Sequence, residues 1–135
     1  LRDVYKRQFL VTGHEAPAGA YRVLPDELAR FRPFTQCINC LLCYAACPQV
    51  ALAPDFVGPA ALALAHRYNL DPRDTGEVRR AEATDSPHGV WDCTFVGACS
   101  DVCPKSVDPA AAIQQTKINA SFRWLKARLL PGGSS

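Results

Sequence analysis

Residues 36–48 read QCINCLLCYAACP, and the cysteines in that stretch decide the fold. Cys37, Cys40, Cys43 and Cys47, followed by Pro48, have the spacing C-x2-C-x2-C-x3-C-P. This is the bacterial ferredoxin-type run, in which three thiolates bind one iron–sulfur cluster and the fourth binds another. The chemistry explains the spacing. A thiolate at every third residue of a tight loop can wrap three iron corners of one cubane. The proline then turns the chain away, so the last cysteine reaches elsewhere.

Residues 91–104, WDCTFVGACSDVCP, repeat the pattern with one change. Cys93, Val96, Cys99, Cys103 and Pro104 keep the spacing, with valine where the second cysteine belongs. Reciprocal sharing then assigns every cysteine. Cys37, Cys40 and Cys43 with Cys103 make a four-thiolate set that suits a 4Fe–4S cluster. Cys93 and Cys99 with Cys47 make a three-thiolate set whose open corner is taken by the apolar Val96. A cluster short of one iron, 3Fe–4S, suits that set; a 4Fe–4S cluster with a non-protein ligand at the open corner is the alternative. Structural zinc takes four ligands and would strand three cysteines. A disulfide framework would strand one thiol of seven.

Composition narrows the rest. A chain of 135 residues, 48% hydrophobic and 21% charged, suits one globular domain and excludes a disordered tail. Fifteen Lys and Arg against 13 Asp and Glu leave a net charge of +2, too small to suggest a nucleic-acid partner. The longest strongly apolar stretch, residues 59–65, falls far short of the ~20 residues that span a bilayer. The opening LRDVYKRQ carries charges where a signal peptide needs an apolar region, and residues 1–8 are read as a non-native scar. The closing PGGSS, residues 131–135, reads as a flexible tail, which leaves 9–130 as the domain.

No segment shows sustained strand alternation, so the fold class is all-α. Short helices are expected at 25–30 and 77–83. A helix within 55–69 should have Gly58 as N-cap and Pro59 at its first position, with an alanine run that lets a neighbour approach closely. The longest helix, 108–130, should have Asp108 as N-cap, Pro109 in its first turn, and an apolar stripe of Ile113, Ile118, Phe122, Leu125 and Leu129. Because the cysteines complete both sites, His66 is read as a structural or interface histidine. Trp91 and Trp124 are read as packing or interface residues. From residue 105 onward five basic residues face one acid, Asp108, which suits docking near anionic headgroups or a cytoplasmic anchor surface, with a solvated helix face as the alternative.

CINCLLCYAACP, GPAALALAHRY and CTFVGACSDVCPKSVDPAAAIQQTK together resemble the iron–sulfur subunit of bacterial quinol:fumarate reductase, a relative of succinate dehydrogenase. The resemblance runs over about residues 9 to 128. It implies an α-helical ferredoxin-like domain with one 4Fe–4S and one 3Fe–4S cluster, and a missing N-terminal domain that carries a 2Fe–2S cluster. It implies an electron-transfer role between quinol (menaquinone or ubiquinone) and an FAD-containing flavoprotein subunit in anaerobic respiration. Membrane anchor subunits would hold the protein peripherally at the cytoplasmic face of the bacterial inner membrane. Quinone-site residues carry over onto Gln114, Gln115, Thr116 and Lys117, with Thr94 a further candidate. Succinate dehydrogenases usually have His where Thr94 stands, which favours the fumarate-reducing direction. Succinate oxidation, or a generic ferredoxin-like carrier, is the alternative. The family usually has Gly at the position of Leu41; a leucine there must keep an ordinary backbone or carry strain.

Overall fold

The structure, a computed structural model, describes residues 22–129. The expected scar at 1–8 and tail at 131–135 lie outside the described residues. Proline punctuates the chain. Helices α1 (Pro25–Thr35), α3 (Pro48–Leu52), α4 (Pro59–Asn69) and α7 (Pro109–Leu129) each open on a proline, where the missing N–H would have had no helical partner anyway. Between them lie α2 (Leu42–Ala45), α5 (Glu77–Thr84), a 3₁₀ turn (Val90–Asp92) and α6 (Ala98–Asp101). There is no strand among the described residues.

The helix expected at 25–30 runs on to Thr35, through Pro33. Pro33 removes one backbone donor. Phe31 and Phe34, three residues apart and both buried, hold the last turn against the core all the same.

The central contact is α4 against α7. Ala60, Ala61, Ala63 and Ala65 of α4, and Ala110, Ala112 and Ala120 of α7, are all buried. Side chains this small let two helix axes come close. Two apolar clusters lie along this seam. Phe34, Ala63, Val107 and Ala112 pack with Cys37 and Cys103; Phe56, Leu62, Val90 and Ile113 pack with Cys47 and Cys93. Gly58 closes the turn into α4 at φ +87°, and a Cβ there would stand 2.5 Å from the Tyr44 ring. Only glycine lets the first cysteine loop sit against the start of α4.

The start of α7 is capped twice. Asp108 Oδ1 accepts from the Ala111 amide at 2.9 Å, as its N-cap position requires, and Ser100 Oγ accepts from the Ala110 amide at 3.2 Å. The Ser100 hydroxyl in turn donates to Asp108, so α6 is tied to α7. The loop from α4 to α5 is held by Arg73 on Asp71 at 2.7 Å and by Arg80, which bonds both Asp74 and Asn69.

One expectation is corrected along α7. Of the stripe, Ile113 is buried, but Ile118, Phe122, Leu125 and Leu129 are exposed. The reason is length. Ala120 is the last buried residue of the 21-residue helix; Ile118 faces away from the core, and beyond Ala120 the helix runs on with Phe122, Leu125 and Leu129 open.

His66 is structural. It is buried at 2% exposure, edge-on to Phe34 with ring centroids 5.0 Å apart. Its Nε2–H donates to Gln115 Oε1 at 2.9 Å, and Nδ1 lies 3.2 Å from the Thr116 hydroxyl. Burial pulls its pKa below the ordinary 6.5, outweighing the Gln115 bond. The unfolded chain therefore takes up a proton that the folded state refuses. Stability contributed by neutral His66 is complete above pH 6.5 and is lost as pH falls below it. Thermal unfolding from pH 8 to 5.5 should show a larger drop in Tm for the wild type than for His66→Gln; parallel curves would remove His66 as the cause.

Candidate metal centre

The two cysteine runs fold alike. Asn39 (φ 55°) and Phe95 (φ 59°) stand two residues after the first cysteine of each run; Leu41 (φ 61°) and Gly97 (φ 86°) stand four after it. All four are left-handed. Leu41 and Gly97 then serve as the N-caps of α2 and α6. Reversing the chain twice within five residues turns successive cysteines toward one centre. Leu41 thus takes the strained branch of the two expected for it, and a left-handed L-residue costs about 1–2 kcal/mol. Its side chain lies 44% exposed, so burial does not repay that cost.

Two recesses result. Cys37, Cys40, Cys43 and Cys103 line one that encloses about 430 Å³ of space not filled by atoms, including its mouth. Ile38, Leu42, Ala60 and Val107 complete its apolar wall. Cys47, Cys93 and Cys99 line the other, of about 360 Å³, with Thr94, Phe95, Val96, Phe56 and Ile113. The runs cross: Cys47 and Cys103 each line the recess of the opposite run.

The electrostatics follow the same division. Burial first, then the neighbouring Cys37, push the Cys43 thiol up to about 11, with smaller contributions from Cys99 and Cys40. Burial also raises Cys99, opposed by its bond with Ser100 and reinforced by Cys47 and Cys93. Bare thiolates repel one another in these recesses. A bound cation reverses that preference, because it holds coordinating thiols deprotonated. The Val107 amide already donates to Cys103 Sγ at 3.3 Å, the kind of bond that stabilises a coordinated sulfur.

Among the described residues, no three Cys, His, Asp or Glu side chains gather tightly enough to hold a single ion. The thiols are spread around recesses instead. All-sulfur donor sets lining apolar hollows fit iron–sulfur clusters by the chemistry of their donors.

The other sequence-predicted residues divide. Lys117 stands beside the three-thiol recess, with Nζ 2.7 Å from the Cys93 carbonyl oxygen and 6.0 Å from the centre of the Trp91 ring. Thr94 is exposed on the wall of the same recess. Gln114, one turn before Lys117, has a buried amide nitrogen with no protein partner. Gln115 and Thr116 are turned the other way. Thr116 is buried, its hydroxyl shared between His66 and the Ala112 carbonyl, and Gln115 holds the far side of the same ring. Helical spacing explains the split, because neighbours in a helix point about 100° apart. Trp91 and Trp124 are both exposed, and with Asp85, Ala120, Ser121 and Leu125 they line a shallow groove along α7. Sequence reasoning flagged Leu41 but left Gly97, Asn39 and Phe95 without a left-handed reading. The signal was present: superposing the runs sets Gly97 on Leu41.

Comparison with known proteins agrees with this geometry. The family model of the 4Fe-4S dicluster domain matches residues 33–107. The chain is 51% identical over 129 residues to a fumarate reductase iron-sulfur subunit of Escherichia coli O157:H7, covering 96% of this chain and 53% of that protein. It is 35% identical over 112 residues to a succinate dehydrogenase iron-sulfur subunit of Coxiella burnetii, covering 82% of this chain and 48% of that one. The chain thus spans about half the length of the curated relatives it matches. Among solved structures, the Mycobacterium smegmatis Sdh1 complex in the apo form contains a chain that superposes with a TM-score of 0.76. That match covers 89% of this chain and 53% of the other; at 22% identity it speaks for the fold alone.

Replacing Leu41 by glycine should relieve its backbone. Leu41→Gly is expected to stabilise the cluster-loaded protein by about 1 kcal/mol, read as a higher denaturant midpoint for bleaching of the visible absorbance. A lower midpoint would mean that the leucine side chain carries packing that outweighs the strain.

Proposed function

Because this chain belongs to the 4Fe-4S dicluster domain family, we propose that it is the two-cluster part of an iron–sulfur subunit of a membrane-associated quinol:fumarate reductase. The observation that carries this reading is the division of seven cysteines into a recess of four and a recess of three with Val96 on its wall. The higher identity to a fumarate reductase subunit than to a succinate dehydrogenase subunit favours the fumarate-reducing direction. Thr94 favours it as well.

Cys37, Cys40, Cys43 and Cys103 would hold a 4Fe–4S cluster, and Cys47, Cys93 and Cys99 a 3Fe–4S cluster. When bound, the two would supply one-electron transfer between quinol and the flavin of a partner subunit. The chain's own contribution is to keep the two centres close and dry. Cys43 of one recess lies near enough to Cys99 of the other to feel its charge. Phe56, Leu62 and Ile113 exclude water behind the second. Lys117 has three N–H donors, and the Cys93 carbonyl engages one of them. The others remain for a quinone oxygen, where an ammonium favours the more negative, partly reduced form. Gln114 and Thr94 would be further polar contacts at that mouth.

The exposed second half of α7 supports docking to membrane anchor subunits. It carries Phe122, Trp124, Leu125 and Leu129 beside Arg123, Lys126 and Arg128. Aromatic and basic residues together suit a membrane–water boundary. No helix among the described residues is long and apolar enough to cross a membrane, so attachment of this part would run through partners.

Two experiments test the reading. The loaded protein should contain about seven iron and eight sulfide for these two sites, and Val96→Cys should raise the iron by about one while removing the paramagnetic signal of an oxidised three-iron cluster. Zinc without sulfide would end the proposal. In the assembled complex, Lys117→Ala should slow quinol oxidation about ten- to a hundredfold, the loss of one charged hydrogen bond. Fumarate reduction driven by a dye at the flavin should be spared; equal loss of both activities would indicate a folding defect.

A further inference from the structure

Lys117 has a second property, independent of any contact with substrate. Its ammonium sits on the backbone of a cysteine that lines the three-thiol recess, half-buried between the Cys93 carbonyl and the Trp91 face. Trp91 is itself oriented by an indole N–H bond to Asp85 at 2.8 Å. The carboxylate next to Cys93, Asp92, faces His88 Nδ1 at 3.5 Å. At the other recess the corresponding cation is Lys105, which stands exposed on the rim. The two recesses therefore differ in their fixed charge as well as in their thiol count.

We propose that Lys117 sets the reduction potential of the three-thiol centre: its ammonium, anchored on the Cys93 carbonyl, stabilises the reduced state of the cluster held by Cys47, Cys93 and Cys99. This rests on the reading of that recess as a cluster site. Reduction adds one electron's charge to the recess, and a positive charge close by lowers the energy of the more negative state. A cation within about 10 Å, at the effective dielectric of a protein, shifts such an equilibrium by about tenfold or more. Partial burial limits the screening that would cancel this effect in water. Lys117 is then a positioning residue for charge. Its carbonyl anchor fixes the distance, and the Trp91 face holds the cation from the other side. The consequence is directional. The centre nearest Lys117 becomes easier to reduce than it would be without that cation.

The test is a redox titration of the full-length, cluster-loaded subunit in its complex, followed by electron paramagnetic resonance. Wild type is compared with Lys117→Met, Lys117→Gln and Lys117→Arg. Lys117→Met and Lys117→Gln should lower the midpoint of the three-iron signal by at least a tenfold change in equilibrium constant, about 59 mV for one electron. Lys117→Arg should stay close to wild type, and the midpoint of the four-iron signal should not move. Should Lys117→Met lose its cluster, Lys117→Gln carries the test, since a neutral amide can still reach the carbonyl. Signals present at the wild-type midpoint in the neutral variants would overturn the proposal and leave the cluster reading standing. Absence of any three-iron signal from the wild type would overturn both.

Discussion

Everything in this domain is arranged around the crossing of two cysteines. Cys47 ends the first run and lines the recess of the second; Cys103 ends the second and lines the recess of the first. Neither recess is complete on one loop. The loops must therefore lie face to face, and what holds them so lies behind them. The alanine-rich seam of α4 and α7 brings two backbones together, with an apolar cluster against each recess. Gly58 admits the Tyr44 ring. Ser100 and Asp108 lock α6 to the start of α7.

The thiols themselves oppose this arrangement. Sulfur atoms in a small apolar hollow gain nothing from water, and burial together with neighbouring sulfurs raises the Cys43 and Cys99 thiols. The packing behind the recesses offsets that repulsion, and strain is placed where it shapes them. Leu41 and Phe95 hold left-handed backbones because the cysteines on either side must converge. Such strain persists only where the surrounding structure over-determines it.

Much of this was legible in the sequence. The spacing of the cysteines carried the division into two sets, and prolines at 59 and 109 marked helix starts within a residue of where they lie. Three things were not legible, each for a physical reason. The helix read at 25–30 runs on through Pro33 because Phe31 and Phe34 hold its last turn, a tertiary effect that local propensity does not contain. The stripe from Ile118 to Leu129 has the period of a core face, but period cannot say whether a partner helix reaches that far. QQTK reads as one block, whereas the helix turns Gln115 and Thr116 to His66 and Lys117 to Cys93. The proline spacing could be read directly because it acts locally; the failures all depend on what lies across from the residue.

The crossing also bears on how such a protein is made. A ribosome delivers residues 37–47 well before residue 103. Until then the first loop has three of its four thiols, and until residue 93 the second recess has only Cys47. Closing the long loop between the runs costs entropy that no local contact returns early. A truncated or stalled chain ending anywhere before Cys103 would present loose, solvent-facing sulfur to metals and oxidants. Completion of the first recess is thus coupled to the arrival of Cys103.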